Sequence, residues 1–468
     1  MADLIIRNGF VITMDDKRRV IPDGGVAIES NRIVDVDSTN RLIKKHNADK
    51  VVDADHKVIL PGLVNTHTHL FQTLMKSLAD DMTLFEWWPK VIGPLSIHLQ
   101  RNHCYYAALS GCSELIRSGC TCTMDNHYAH PTKGLADECI KAFTDIGIRG
   151  IEAVGTIDAQ RSYYPIAQEL LMNTEQAISE NVRLIEKWNK TANGRIHVWF
   201  GTESPYDCSD ELLEKAHDLS RKHNVGVSCH LHECDEEVNN WKKETGLTPI
   251  QYYDKKIRFL DSNLLAVHCV AVDDHDIEIL SSRNVKVSHN PVSNMYLANG
   301  VSPVPRLLQS GITVGLGVDG AASNNNQDMF ELMKMTVLLH KVVRRDPLAI
   351  TAEKVLRMAT IDGAKTLGLE KEIGSIEPGK KADIILVNLQ ESNMVALNNI
   401  PSQIVYCGKA SNVDTVIIDG SIVMENKILK TIDENMVLRK TQEMSDDLIA
   451  RADMDDLRKR WRRPTTGQ

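Results

Sequence analysis

Apolar positions fall in short runs whose character changes along the chain. Over the first sixty residues they alternate with polar ones in LIIRNGFVITM, GGVAIESNRIVDV and ADHKVIL, the pattern of strands with one buried face. Asp23-Gly24-Gly25 reads as a turn among them. The alternation returns late, in KKADIILVNL and VDTVIIDGSIVMENK, so both chain ends are predicted to build one small β-sandwich-like domain. The middle differs. Eight apolar runs follow one another: VILPGLVNTHTH, TCTMDNH, RGIEAVGTID, RIHVWFGTES, VGVSCHLHE, LLAVHC, VKVSHNP and TVGLGVDG. Amphipathic stretches such as DECIKAFTDIG, ELLEKAHDLSRKH and DHDIEILSSRN stand between them. Strand–helix units in that series predict an α/β chain built on a (β/α)8 TIM-type barrel rather than a doubly wound sheet. The predicted boundaries are 1–58 and 371–430 for the two parts of the β-domain, 59–370 for the barrel and 431–468 for a helical tail. The stretch 71–118 must hold both a loop and a helix.

Composition narrows the class. Of 468 residues, 42% are hydrophobic and 25% charged, the balance of a soluble globular enzyme. With 54 basic against 63 acidic residues the net charge is −9, which argues against nucleic acid as a partner. The basic cluster Arg458, Lys459, Arg460, Arg462 and Arg463 follows Asp453, Asp455 and Asp456, and reads as a solvated terminal helix or a subunit contact. No run reaches the ~18 apolar residues of a membrane span. The start, MADLIIRNGF, shows no charged segment leading into an apolar stretch, and ten cysteines follow no framework spacing. A cytoplasmic protein with free thiols is expected.

A barrel of this kind carries its chemistry at the C-terminal ends of its strands. The first run ends His67-Thr68-His69 and the fifth His230-Leu231-His232-Glu233; the sixth ends at His268 and the eighth at Asp319. Residues i and i+2 of a strand share a face, so His67 and His69 can hold one ligand. His230 and His232 can do likewise, but Glu233 then needs a bend at the strand end to face the pocket. Neutral imidazoles with a carboxylate suit zinc or ferrous iron. Such a cation lowers the pKa of a bound water from near 16 to about 7, and Glu233 is the natural proton shuttle for a leaving amine.

At these residues the chain resembles the amidohydrolase superfamily, in the branch of the triazine hydrolases (melamine deaminase, atrazine chlorohydrolase) and the methylthioadenosine/S-adenosylhomocysteine deaminases. The resemblance runs through PGLVNTHTH, HLHE, AVHC, NPVSN, GVDGAASNNN, ATIDGAKTLGL and GSIEPGKKADIILV. It implies His67, His69, His230 and Asp319 as metal ligands, Glu233 as proton shuttle, and His268 orienting the attacking water with Asp319. The fourth run lacks the lysine that some relatives carbamylate to bridge two metals. One divalent metal per subunit is therefore implied, zinc in the first place and ferrous iron as the alternative.

The implied reaction is hydrolytic removal of an exocyclic amino group from an N-heteroaromatic ring such as a triazine, pyrimidine or purine base. A methylthioadenosine/S-adenosylhomocysteine-type nucleoside deaminase and an s-triazine chlorohydrolase are the alternatives. Gly320 after the aspartate resembles the nucleoside deaminases. Against them, the family's ribose-holding positions read Leu95-Ser96, Val154 and Glu203 here, and unpartnered hydroxyls would cost ~1–3 kcal/mol each. The bare-ring reading is preferred on that ground. Trp87, Trp88, Phe85 and Tyr128 are candidate walls for a flat ring, although the tryptophans could instead pack a subunit interface. Glu203 and Ser323 are further candidate substrate contacts, with a salt bridge the other reading of Glu203.

Three features point elsewhere. Gly315–Gly320 matches GxGxxG but puts Asp319 where a pyrophosphate would lie, so a dinucleotide site is rejected. Cys120 and Cys122 read as packed thiols, while His127 and His130 could touch substrate or stand behind it. A small-molecule substrate, no membrane partner and a homo-oligomer, dimer or larger, complete the expectation.

Overall fold

A computed structural model describes residues 2–459; Arg460, Arg462 and Arg463 of the basic cluster lie outside them. Eight parallel strands close into a barrel. They are β1 (Leu63–Thr68), β2 (Cys120–His127), β3 (Arg149–Thr156), β4 (Ile196–Thr202), β5 (Val227–Leu231), β6 (Leu264–His268), β7 (Lys286–His289) and β8 (Val314–Leu316). They coincide with the eight apolar runs. Every residue of β1, β2 and β3 is buried, because helices cover the outer face while side chains fill the inner one. Closure is made where Leu316 of β8 stands opposite Asn65 of β1.

The chain ends meet in one mixed sheet of nine strands. Its two halves join where Lys57–Pro61 runs antiparallel to Ile384–Asn388. Asp23-Gly24-Gly25 is not a turn: it lies inside the strand Val20–Glu29. A Cβ on Gly25 would sit 2.3 Å from the Ile6 carbonyl oxygen, so glycine is there for a close backbone approach within the sheet. The edge strand Ala48–Asp53 had no counterpart in the apolar pattern; four of its six residues are exposed or nearly so.

Between residues 71 and 118 the chain makes short helical turns and then the long helix Arg101–Arg117. The tail helix Glu434–Arg451 packs on that helix, fastened by Arg117 to Glu434. Barrel and sheet are tied at the N-terminal end of the barrel. There Arg149, the first residue of β3, donates Nε and Nη2 to the two oxygens of Asp383, both at 2.9 Å. No helix among the described residues is long and apolar enough to cross a membrane. All ten cysteines are free thiols, Cys120 and Cys122 fully buried among them.

Candidate active site

The C-terminal strand ends gather a ring of imidazoles around one carboxylate. His67, in β1, and His69, just beyond it, turn to the same side with ring centroids 4.6 Å apart. His230 of β5 brings Nε2 to 3.2 Å from His67 Nε2. Asp319 Oδ1 lies 3.5 Å from Nε2 of both His67 and His69, and His268 Nε2 is 3.9 Å from Asp319 Oδ2. Glycine at 317 makes room for this ring: a Cβ there would lie 2.3 Å from Asn290 Oδ1 and 2.9 Å from the Cβ of His67. The GxGxxG string is therefore a barrel-packing feature.

The outer nitrogens fix which atoms face inward. His69 Nδ1 is 2.6 Å from the Asn126 carbonyl and His230 Nδ1 is 2.8 Å from the Glu203 carbonyl. A carbonyl only accepts, so each Nδ1 carries its hydrogen and each Nε2 presents a lone pair to the centre. His268 Nδ1 makes the same kind of bond to Asn294 Oδ1 at 2.9 Å. Burial drives all four imidazoles toward the neutral form, His69 down to about 3. Burial alone would raise Asp319, but the hydrogen bond and charge of His67, with His268 and His69, hold it well below the usual carboxylate range. Neutral nitrogen donors converging on an anionic oxygen fit a divalent cation of the zinc class.

Glu233 reaches the ring by a turn of the chain. The strand stops at Leu231, and His232 takes a left-handed conformation with φ of +55°. That turn points the His232 ring away: its Nδ1 bonds the Ala271 carbonyl and its Nε2 accepts from the Ile250 amide. Strand alternation would let His230 and His232 share a ligand, but they do not, because the two-residue period of the strand ends one residue too soon. Glu233 gains what His232 loses. Its Oε1 stands 3.7 Å from His268 Nε2 and accepts from Asn299 Nδ2 at 2.9 Å. Glu237 accepts the backbone amides of His232 and Glu233 at 3.1 and 2.7 Å and so holds the turn. Burial, then the charge of Asp319, push Glu233 up to about 8, which leaves it an acid at neutral pH. His268 and Asp319 also have positive φ, +75° and +65°, a backbone conformation that costs ~1–3 kcal/mol per residue.

Above the ring a cavity is walled by Trp87, Trp88, Tyr128, Tyr164 and Tyr206, with Glu203, Asp207 and Ser323 as polar groups. Trp87 is fixed by its indole N–H to the Ala322 carbonyl at 2.9 Å, and Ser323 by its hydroxyl to the Gly320 carbonyl at 3.2 Å. Among the described residues Glu203 forms no pair with a lysine or arginine. Its Oε2 accepts from Asn126 Nδ2 at 3.0 Å, and burial, then the Asp207 charge, push its carboxyl well above the usual range. Phe85 does not line the cavity but stands behind Tyr164, ring centroids 5.5 Å apart. Ser96, Val154, His127 and His130 do not line it either. Sequence reasoning missed Tyr164, Tyr206, Asp207 and Asn299, which come from loops without periodicity. It quoted NPVSN, which supplies Asn290 and Asn294, without giving those amides a task.

Comparison with known proteins places these features in context. The model of the amidohydrolase family matches residues 58–423. A 5'-deoxyadenosine deaminase of Methanobrevibacter smithii is 40% identical over 446 residues, 95% of this chain and 98% of that one. A 5-methylthioadenosine/S-adenosylhomocysteine deaminase of Pelotomaculum thermopropionicum is 37% identical over 451 residues, 96% of this chain and all of that one. Among solved structures, an adenosine deaminase from Xanthomonas campestris with bound zinc superposes with a TM-score of 0.87 at 28% identity, covering 96% of this chain and 99% of that one. A mutant atrazine chlorohydrolase of Arthrobacter aurescens, complexed with zinc and atraton, gives 0.89 at 22% identity over 94% of this chain and 100% of that one, a likeness of fold alone.

Proposed function

The chain belongs to the amidohydrolase family, a family of metal-dependent hydrolases, and from that premise we propose that it deaminates adenine nucleosides of the 5'-deoxyadenosine or 5'-methylthioadenosine kind. His67, His69, His230 and Asp319 would hold the cation, with zinc the first choice. When bound, the cation supplies hydroxide at neutral pH by lowering the pKa of a water.

The remaining chemistry belongs to this chain's own residues. Asp319, with neutral His268 beside it, takes the proton of the attacking water. Glu233, in its acid form, protonates the ring nitrogen next to the amino-bearing carbon. Asp319 then passes that proton to the departing nitrogen and the hydroxyl proton of the adduct returns to Glu233, so that water and the amine yield the oxo product and ammonia with both carboxyls restored. The observation that carries this reading is Glu233: a buried carboxyl, pushed toward its acid form by that burial, at 3.7 Å from His268 and fixed by Asn299. Expelling an amine requires such an acid, whereas expelling chloride does not.

For the substrate, support comes from two deaminases of adenine nucleosides at 37–40% identity over nearly the whole chain. The argument from Ser96 and Val154 against a ribose loses its force, since neither lines the cavity. Glu203 and Asp207 do line it and offer acceptors for sugar hydroxyls. The aromatic walls and the protonated Glu203 sustain a second reading, in which a bare heterocycle is clamped flat and receives a hydrogen bond from that carboxyl. Ammonia release from 5'-deoxyadenosine, 5'-methylthioadenosine and S-adenosylhomocysteine, beside guanine, cytosine and aminotriazines, tests both. Turnover of the nucleosides is expected; turnover of free bases alone would overturn the first reading and support the second.

A further inference from the structure

The barrel wall carries a second set of ligand-type side chains on its outer face. Side chains alternate along β2, and Asn126 points to the cavity, where it donates to Glu203. Asp125 and His127 therefore point outward, toward the helix Leu135–Ile146. Asp125 stands directly opposite Glu152 of β3, and Cys139 of that helix brings Sγ to 3.8 Å from His127 Nδ1. One donor atom from each of the four lies within 4.8 Å of the others, and all four residues are buried. Neither oxygen of Glu152 has a hydrogen-bond partner, nor has Oδ2 of Asp125. Two carboxyls with three unspent oxygens inside a barrel wall call for a proton donor or a cation.

We propose that Asp125, His127, Cys139 and Glu152 form a structural site for a divalent cation of the zinc class, separate from the active site and clamping the helix Leu135–Ile146 to β2 and β3. Thiolate, imidazole and carboxylate donors together are a zinc-type set. Without a cation, burial pushes Asp125 up to about 7 and Glu152 well above its usual range, and no lysine or arginine contributes to either shift. Binding releases the thiol and carboxyl protons to solvent. Because the site is enclosed, the cation is taken up as the chain folds. It also steadies the first strand end. The other oxygen of Asp125 accepts the Leu70 amide at 2.8 Å, the residue after His69, and the Asn126 carbonyl accepts from His69 Nδ1.

The test is production of the full chain in minimal medium with cobalt as the supplied metal. No cysteine belongs to the active-site ring, so a near-ultraviolet thiolate-to-cobalt charge-transfer band reports the second site alone. Two cobalt ions per chain and that band are expected. Cys139→Ser should abolish the band and leave one cobalt, whereas His67→Ala should lose the other cobalt and keep the band. Should Cys139→Ser prove insoluble, Glu152→Gln serves instead, with the outer cobalt lost or its band shifted. One cobalt per chain without a thiolate band would overturn the proposal in favour of a proton-sharing carboxyl pair. A band that survives Cys139→Ser unchanged would overturn it as well.

Discussion

The two ends of the barrel both bury charged side chains, yet they handle them in opposite ways. At the N-terminal end, Arg149 meets Asp383 through two 2.9 Å bonds, and the Asp419 amide donates to the same carboxylate at 2.9 Å. Lys381 adds a contact of 3.2 Å to Asp419. Among the described residues none of these side chains has a buried polar atom without a partner. At the C-terminal end, four imidazole nitrogens and a carboxylate face one another at 3.2–3.9 Å, with the outer nitrogens of His69, His230 and His268 already bonded. Burial of charge is common to both ends, so burial does not mark the site. What marks it is hydrogen-bonding capacity fixed in direction and left unspent. The Asp125–Glu152 cluster shares that second property, and this sets it apart from the Arg149 network.

If the ends divide labour in this way, each can be damaged alone. The largest effect is expected from Glu233→Ala, which removes the carboxyl 3.7 Å from His268. Deamination should fall ~10²–10⁴-fold, while metal content and the unfolding midpoint stay those of the parent protein. Ammonia release, metal analysis and a urea titration on one preparation measure all three. Full activity in this variant would refute the proton role. The mirror experiment is Arg149→Met, which leaves Asp383 buried without its partner. A loss of about 3–5 kcal/mol in stability is expected, with kcat per folded molecule unchanged. If kcat fell while stability held, the two ends would not be independent.

How much of this contrast was legible beforehand differs between fold and site. The barrel was readable because short strand-like runs alternate with amphipathic stretches eight times over, even though β2 and β3, buried at every position, carry polar residues such as Asp125 and Glu152 within them. The strand Ala48–Asp53 was not, because an exposed edge strand has no apolar face to declare it. His67, His69, His230, His268, Asp319 and Glu233 could be picked out because strand ends are where a barrel puts its chemistry. That His232 turns away was not legible, because its positive φ, which breaks the alternation, has no signature in residue type. Tyr164, Tyr206 and Asp207 reach the cavity from loops, and loop conformation is set by contacts rather than by a repeating pattern. The pairing of Arg149 with Asp383, residues 234 positions apart, is a product of tertiary structure alone.

Glu203 stands between the two extremes and sharpens the contrast. One of its oxygens is bonded to Asn126 Nδ2, the other lies 3.4 Å from His230 Nδ1, and the residue lines the cavity. Glu203→Gln keeps the backbone carbonyl that orients His230 and keeps an oxygen for Asn126. Metal content should therefore remain intact. Transition-state binding should weaken by about 1–3 kcal/mol through the altered contact to substrate, read as a fall in kcat/KM. Unchanged kinetics would remove Glu203 from the substrate's surroundings and leave it as a support for Asn126.

The pH profile separates Glu233 from Glu203, two carboxyls near the ring that burial pushes toward their acid forms. Glu233 is pushed up to about 8, by burial first and by the Asp319 charge second. Its acid form is the one that donates a proton, so the sign is fixed: activity is present below that value and is lost as pH rises through it. On this basis kcat/KM should be level near neutrality and fall above about 8, by roughly tenfold for each further pH unit. Glu203 is shifted in the same direction by burial and the Asp207 charge, so the alkaline limb alone does not identify its owner. Substitution does. In Glu233→Gln the residual activity should lose the limb, whereas in Glu203→Gln the limb should persist on a lowered plateau. A limb that disappears with Glu203→Gln and survives Glu233→Gln would transfer the acid to Glu203, and would place the proton donor just past the end of β4, beside Asn126, rather than on the turn that His232 makes.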